Sequence, residues 1–225
     1  MDTTKAFSTK PFSSDVAFTP SVKAVQARKG LRPVHRHIEE RGGWRTDITP
    51  DLAAFIAAQT SIFLATANRD GQPYIQHRGG PPGFLHVLDA RTIAFADYAG
   101  NRQYITLGNL AGNDRAFLFL LDFAARRRIK LWGRARVVED DPALLARLAD
   151  PGYRARPERA ILFTVEAWDV NCSQHITARF TEDEVAQATA PLLQRIATLE
   201  AENAQLRAAG STPASNSVSA LNTPQ

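Results

Sequence analysis

From Thr49 onward the chain switches repeatedly between a helical and a strand-like hydrophobic period. Thr49-Pro50-Asp51 is a helix start, with Thr as N-cap, Pro in the first turn and an acid beside it. Leu52, Phe55 and Ile56 follow at helical spacing and Gln59 closes the stripe. Ile62 to Thr66 is a short apolar strand. Asn68-Arg69-Asp70-Gly71 carries an Asp-Gly turn, and Pro73 to Arg78 returns as the second strand of a hairpin. Gly79-Gly80-Pro81-Pro82-Gly83 is a loop. Phe84 to Leu88 and Thr92 to Ala96 predict a second hairpin around Asp89-Ala90-Arg91. Asn101 to Leu110 predicts a short helix capped by Asn101, and Ala116 to Leu121 a buried strand. From Lys130 to Glu139 the chain alternates: Leu131, Gly133, Ala135 and Val137 share one face, and Lys130, Trp132, Arg134 and Arg136 the other. Pro142 to Leu148 predicts a helix, and Ile161 to Val165 a last buried strand. Many short strands with a few small helices predict a mainly β fold, a barrel with helical trimmings.

The two ends read differently. Residues 1–45 have weak periodicity and scattered Lys, Ser, Thr and Pro, and predict an extended arm. Residues 46–180 hold the barrel. Residues 181–209 predict C-terminal helices. Thr181-Glu182-Asp183-Glu184 is a capping-box signal, and Pro191 is placed to open a further helix. Val185, Leu192, Leu199 and Leu206 recur every seven residues, with Thr189, Ile196 and Asn203 at the alternate seam position. That pattern fits a coiled coil, or an amphipathic helix lying on its own barrel. Residues 210–225 are rich in Ser, Thr, Pro, Ala and Asn and predict a disordered tail.

Composition narrows the function classes. One cysteine, Cys172, excludes an intrachain disulfide and fits a reducing compartment. The N-terminal region shows no apolar run of the secretory type, and no stretch approaches the length of a membrane span. The expected location is the cytoplasm, with no membrane partner. Net charge is +4, with one basic cluster at Arg126-Arg127-Arg128-Ile129-Lys130. No nucleic-acid fold motif accompanies it, so no nucleic-acid partner is expected. His35 and His37 stand two apart without further ligands, so no metal is expected. Nucleophile-elbow, Walker and dinucleotide-loop motifs are absent from the sequence.

Three polar segments border strong strands. In Gln76-His77-Arg78-Gly79-Gly80 an arginine stands at a strand end beside two glycines, where backbone can approach an anion. Asp97-Tyr98-Ala99-Gly100-Asn101-Arg102-Gln103 runs from a strand into a helix start, where free N–H groups and a guanidinium suit a phosphate. Trp168 to His175 is a polar-aromatic segment expected to follow the last strand. Singly, each has a structural explanation: Arg78 in a surface ion pair, Asn101 as a helix cap, Trp168 as core. Together they suit a planar, phosphorylated ligand.

The stretch from Phe63 to Arg179 resembles the flavin-binding branch of the pyridoxamine 5'-phosphate oxidase-like proteins. The resemblance is carried by Gly71-Gln72-Pro73-Tyr74-Ile75-Gln76-His77-Arg78-Gly79-Gly80-Pro81-Pro82-Gly83-Phe84-Leu85 and by Gly100-Asn101-Arg102-Gln103-Tyr104-Ile105. Arg128-Ile129-Lys130-Leu131-Trp132-Gly133-Arg134-Ala135 and Asn171-Cys172-Ser173-Gln174-His175-Ile176 add to it. Val170 and Ser173 depart from the tryptophan and proline of that branch. The resemblance implies an FMN-binding split β-barrel that forms a homodimer with two FMN sites between its subunits. It implies a cofactor site of His77, Arg78, Tyr98, Asn101, Arg102, Gln103, Arg128, Lys130, Gln174 and His175. Arg78, Asn101, Arg102 and Gln103 would hold the phosphate, Tyr98 would run along the flavin, and Arg128 or Lys130 would reach across from the other subunit. Gln103 replaces a cation of the family pattern. The Arg-x-His pair that binds the vitamin substrate is missing, since Gln174-His175 is followed by Ile176-Thr177. The implied function is an FMN-dependent oxidoreductase that transfers hydride through flavin N5 from a small-molecule donor to an electron acceptor. The alternative is a non-catalytic flavin-binding or cofactor-carrier module. No catalytic residue is assigned.

Overall fold

A computed structural model describes residues 12–171 and 173–210. It divides into two compact units, one through Ala178 and one from Arg179 on. In the first, seven strands form one antiparallel sheet: β1 (Ser61–Ala67), β2 (Pro73–Gly79), β3 (His86–Val87), β4 (Thr92–Tyr98), β5 (Arg115–Asp122), β6 (Arg127–Val138) and β7 (Pro157–Asn171). Their spatial order is β2-β1-β5-β6-β7-β4-β3. The long pair β6 and β7 is its spine, broken by a bulge between Trp132 and Gly133. Gly133 is required there, because a Cβ would collide with the Thr164 carbonyl.

Alternation decides which side chains are buried. Ile62 and Leu64, Leu118 and Leu120, Ile129 and Leu131, and Ile161, Phe163 and Val165 point into one core. Helix α3 (Pro50–Ala57) closes that core with Leu52, Phe55 and Ile56. Its start is as expected: the Thr49 hydroxyl accepts from the Leu52 amide. Gln59, also buried, donates its amide to the Phe55 carbonyl. On the opposite face of β4 and β7, Ala94, Ala96, Ala160 and Leu162 form a second cluster with Leu148 of α5 (Pro142–Leu148). Small side chains on that face let α5 lie close to the sheet.

Several expectations are corrected. The N-terminal segment is not extended where it is described. A 3-10 turn (Ser13–Val16) and helices α1 (Pro20–Arg28) and α2 (Arg32–Glu40) occupy it. They are held by charge and hence left little hydrophobic signal. Buried Glu39 takes Lys23 at 3.0 Å and also pairs with Arg32. Burial pushes the Glu39 carboxyl up, but Arg32 and Lys23 outweigh it and hold it below its ordinary value. The arm then reaches the sheet through Trp44, whose ring stacks on Trp132 at 4.6 Å.

Helix α4 begins at Ile105, not Asn101, and runs to Gly112. Trp168 to Asn171 is strand rather than a following segment, because β7 extends to Asn171. Among the described residues the second unit holds one helix, α6 (Glu182–Gly210), with Pro191 inside it rather than opening a new one. Its start follows the predicted capping box: Thr181 and Glu184 exchange hydrogen bonds. Residues 211–225, most of the expected tail, lie outside the described residues. No described helix is long and apolar enough to cross a membrane.

Candidate cofactor site at the sheet seam

Strand β2, at one end of the sheet order, meets β4, next to the other end, at an ion network. Arg78 on β2 reaches Asp97 on β4, Nη2 to Oδ1 at 3.2 Å. The other Asp97 oxygen accepts from Arg159 Nη1 at 3.2 Å. Asp97 and Arg159 are direct cross-strand partners in the β4–β7 register. Asp97 and Arg159 are both buried, and Arg78 is nearly so. Arg159 also pairs with Glu139 and Glu158, each at 3.0 Å. Burial alone would lower the Arg159 pKa, but Asp97 and Glu139 outweigh it and raise it. Burial pushes the Glu158 carboxyl up, yet its hydrogen bond from Arg156 and the charge of Arg159 leave it below the usual carboxylate range.

Beside this network lies a small cleft of about 50 Å³, lined by Tyr74, Gln76, Arg78, Asp97, Tyr98, the 100–107 segment, Glu158 and Arg159. One wall is an unusual turn. Arg102 and Tyr104 have positive φ, 58° and 54°, which side chains other than glycine adopt only at a cost. Such strain collects at ligand clamps. Asn101 does not cap α4; its Oδ1 accepts from the Gln103 amide at 3.2 Å and tightens the turn. Tyr104 stands at the cap position without a side-chain bond, its ring over Arg159. The opening N–H groups of α4 have no acceptor within the helix and carry its positive end. Thr106 bonds Gln76 at 2.9 Å and ties the helix start to β2.

The structure therefore gathers Arg78, Tyr98, Asn101, Arg102 and Gln103 in one cleft. The other predicted residues do not line it. His77 points to the opposite face of β2, as alternation requires, and bonds Ser61 at 2.8 Å. Arg128 and Lys130 lie on β6. Lys130 pairs with Asp169 at 2.9 Å and lies over the Trp44 and Trp132 rings. Gln174 and His175 are exposed beyond β7, with His175 at φ 64°. Asp97 and Arg159 are the residues that sequence reasoning missed as site residues. Starting the last strand at Ile161 left Arg159 outside it. Extending that strand by two residues would have set it opposite the acid at the end of β4. Among the described residues no group of three or more His, Cys, Asp or Glu could hold a metal.

The family model for pyridoxamine 5'-phosphate oxidase matches residues 48–172, more than half of the chain. No curated protein matches. Among solved structures, HupZ from Group A Streptococcus is 19% identical over 59% of this chain and 99% of its own, with a TM-score of 0.45. An FMN-binding protein from Syntrophomonas wolfei is 12% identical over 68% of this chain and 97% of its own, at 0.42. A protein related to general stress protein 26, of the pyridoxinephosphate oxidase family, from Clostridium acetobutylicum is 17% identical over 58% and 92%, at 0.40. These scores are low, so the family assignment rests on the family model. With its split β-barrel and C-terminal helix, the chain belongs to the pyridoxamine 5'-phosphate oxidase family.

Proposed function

We propose that the protein is an FMN-binding oxidoreductase that works as a cytoplasmic homodimer. The observation that carries this reading is Arg78 Nε, a buried donor in the cleft wall with no hydrogen-bond partner. A buried guanidinium N–H without an acceptor costs free energy. A phosphate oxygen would satisfy it. The donor set around it suits an anion: the Arg102 guanidinium and the first amides of α4. Arg78, Asn101, Arg102 and Gln103 would hold the phosphate, with Tyr98 beside the ring system.

Bound FMN supplies hydride acceptance, and the protein supplies position and field. Lys130 and Arg128 belong to a different part of the chain from the cleft. In a two-fold dimer they become the partner's contribution, along with His77, Gln174 and His175. A cation from this group, Lys130 or His175, would favour negative charge on the reduced ring.

The visible spectrum of the purified protein tests the reading. A flavin spectrum, retained or restored with FMN, is expected. A protein that is colourless and stays so after incubation with FMN overturns it. Steady-state oxidation of reduced nicotinamide, corrected for released flavin, then separates an enzyme from a carrier.

A further inference from the structure

The sequence of helix α6 is the most regular in the chain. It runs for 29 residues, about 43 Å at the α-helical rise. None of its residues is buried. Its apolar positions are open to solvent: Leu192 is 64% exposed, Ile196 51% and Leu206 70%. Exposure of a whole seam on an ordered helix calls for a covering surface.

We propose that α6 pairs in parallel and in register with α6 of a second copy of this chain, as a two-stranded coiled coil. The occupant is identified by three features. The seam is Val185, Leu192, Leu199 and Leu206 at d, with Thr189, Ile196 and Asn203 at a. Leu at d with a β-branched residue at a favours two strands.

Charge complementarity comes next. In a parallel pair each g position faces the e position five residues on in the other helix. Arg195 then meets Glu200 of the second copy, and Glu202 meets its Arg207. Both pairs are attractive.

Asn203 fixes the direction. In the parallel register it meets Asn203 of the second copy, and two amides can bond each other. An antiparallel register of the same seam sets it against Leu192, leaving a polar group buried without a partner. Pro191 falls at position c, on the outer side, so its missing N–H does not interrupt the seam.

Full-length protein tests the pairing. In a Cys172→Ser background, which removes the single native thiol, Leu206→Cys and Leu192→Cys place thiols at seam positions. Ala201→Cys places one on the outer face. Each is oxidised mildly and run on a non-reducing gel, after circular dichroism has shown native helix content. Both seam variants are expected to give mostly disulfide dimer, and Ala201→Cys several-fold less. An antiparallel pair sets residue 206 opposite residue 189 and leaves both seam variants monomeric, which overturns the proposal. Equal yields at all three positions overturn it too, since they report proximity without a seam. Flavin content is read separately from the same samples, so failure of pairing and failure of FMN binding are distinguishable.

Discussion

At the seam, Arg78 and Arg159 share one buried carboxylate, Asp97, with both contacts at 3.2 Å. On the outer face of β6, Lys130 lies over two tryptophan rings and pairs with Asp169, which is partly exposed. Both regions combine cations with aromatic surface, and both supplied residues to the site read from sequence. They differ in completeness. The seam has a buried unsatisfied donor, Arg78 Nε, with a strained turn and a helix start beside one cleft; on β6, Arg128 Nε is likewise a buried donor without a partner. The β6 face offers a cation on an aromatic floor, supported by the arm through Trp44. One chain presents an anion seat and, elsewhere, a planar apolar platform. A phosphorylated ring system needs both, and two-fold symmetry supplies the second region to the first.

The largest effect should come from the seam's central carboxylate. Asp97→Ala leaves two buried guanidinium groups without their shared partner, a change that typically costs about 3–5 kcal/mol. Chemical denaturation should show that loss. Inorganic phosphate should restore part of the stability, relative to chloride at equal ionic strength, by returning negative charge to the cleft. Wild-type stability in Asp97→Ala would mean the network is solvated and the cleft is not pre-organised. Next in size is Arg102→Ala. Loss of a charge-assisted hydrogen bond should weaken FMN binding by about 1.5–3 kcal/mol. Unchanged affinity, with the fold intact by circular dichroism, would remove the turn from the site.

A mixing experiment tests whether the two regions meet in one site. Arg102→Ala damages the cleft and Lys130→Ala the β6 face. If each site draws on both chains, a heterodimer of the two variants contains one site with both lesions and one with neither. After random reassortment of equal amounts, about a quarter of all sites should bind FMN normally, by two-fold symmetry. Titration with FMN counts them. No recovery would place both regions in a single-chain site, and normal binding at half of all sites would leave Lys130 in none.

How much of this was legible varied with the kind of force involved. The Thr49 cap, the hairpin after Ile62 and the alternation of β6 rest on local geometry and apolar period, which a single sequence displays. The cleft's turn was visible only as a polar string. Its shape depends on Arg102 and Tyr104 taking positive φ, for which neither residue type gives a signal. The ion network was hidden because it is tertiary: Arg159 acquires meaning only opposite Asp97. Helices α1 and α2 escaped for a related reason. Their cohesion comes from Lys23, Arg32 and Glu39, so a hydrophobic-period reading returned an extended arm.

That ionic clamp gives the smallest predicted effect, and it touches only one of the two regions. Glu39 has a pKa below its ordinary 4.5 in the folded protein. A depressed carboxyl stabilises the fold fully above its unfolded value, and the contribution is lost as pH falls through the folded one. The clamp should therefore hold at neutral pH and release below about pH 4.5, the ordinary carboxyl range. Residues 20–40 should then exchange amide hydrogens faster than β5, and fluorescence should report Trp44 leaving Trp132. Glu39→Gln should show the same loosening already at pH 7 and little further change on acidification. If its arm stays as protected as wild type at pH 7, apolar packing of Phe18 and Trp44 holds the arm, and the clamp is incidental. If the arm loosens and FMN binding falls with it, the β6 face depends on that support. If the arm loosens and FMN stays bound, the platform is rigid without the arm, and the β6 face is as self-supporting as the seam.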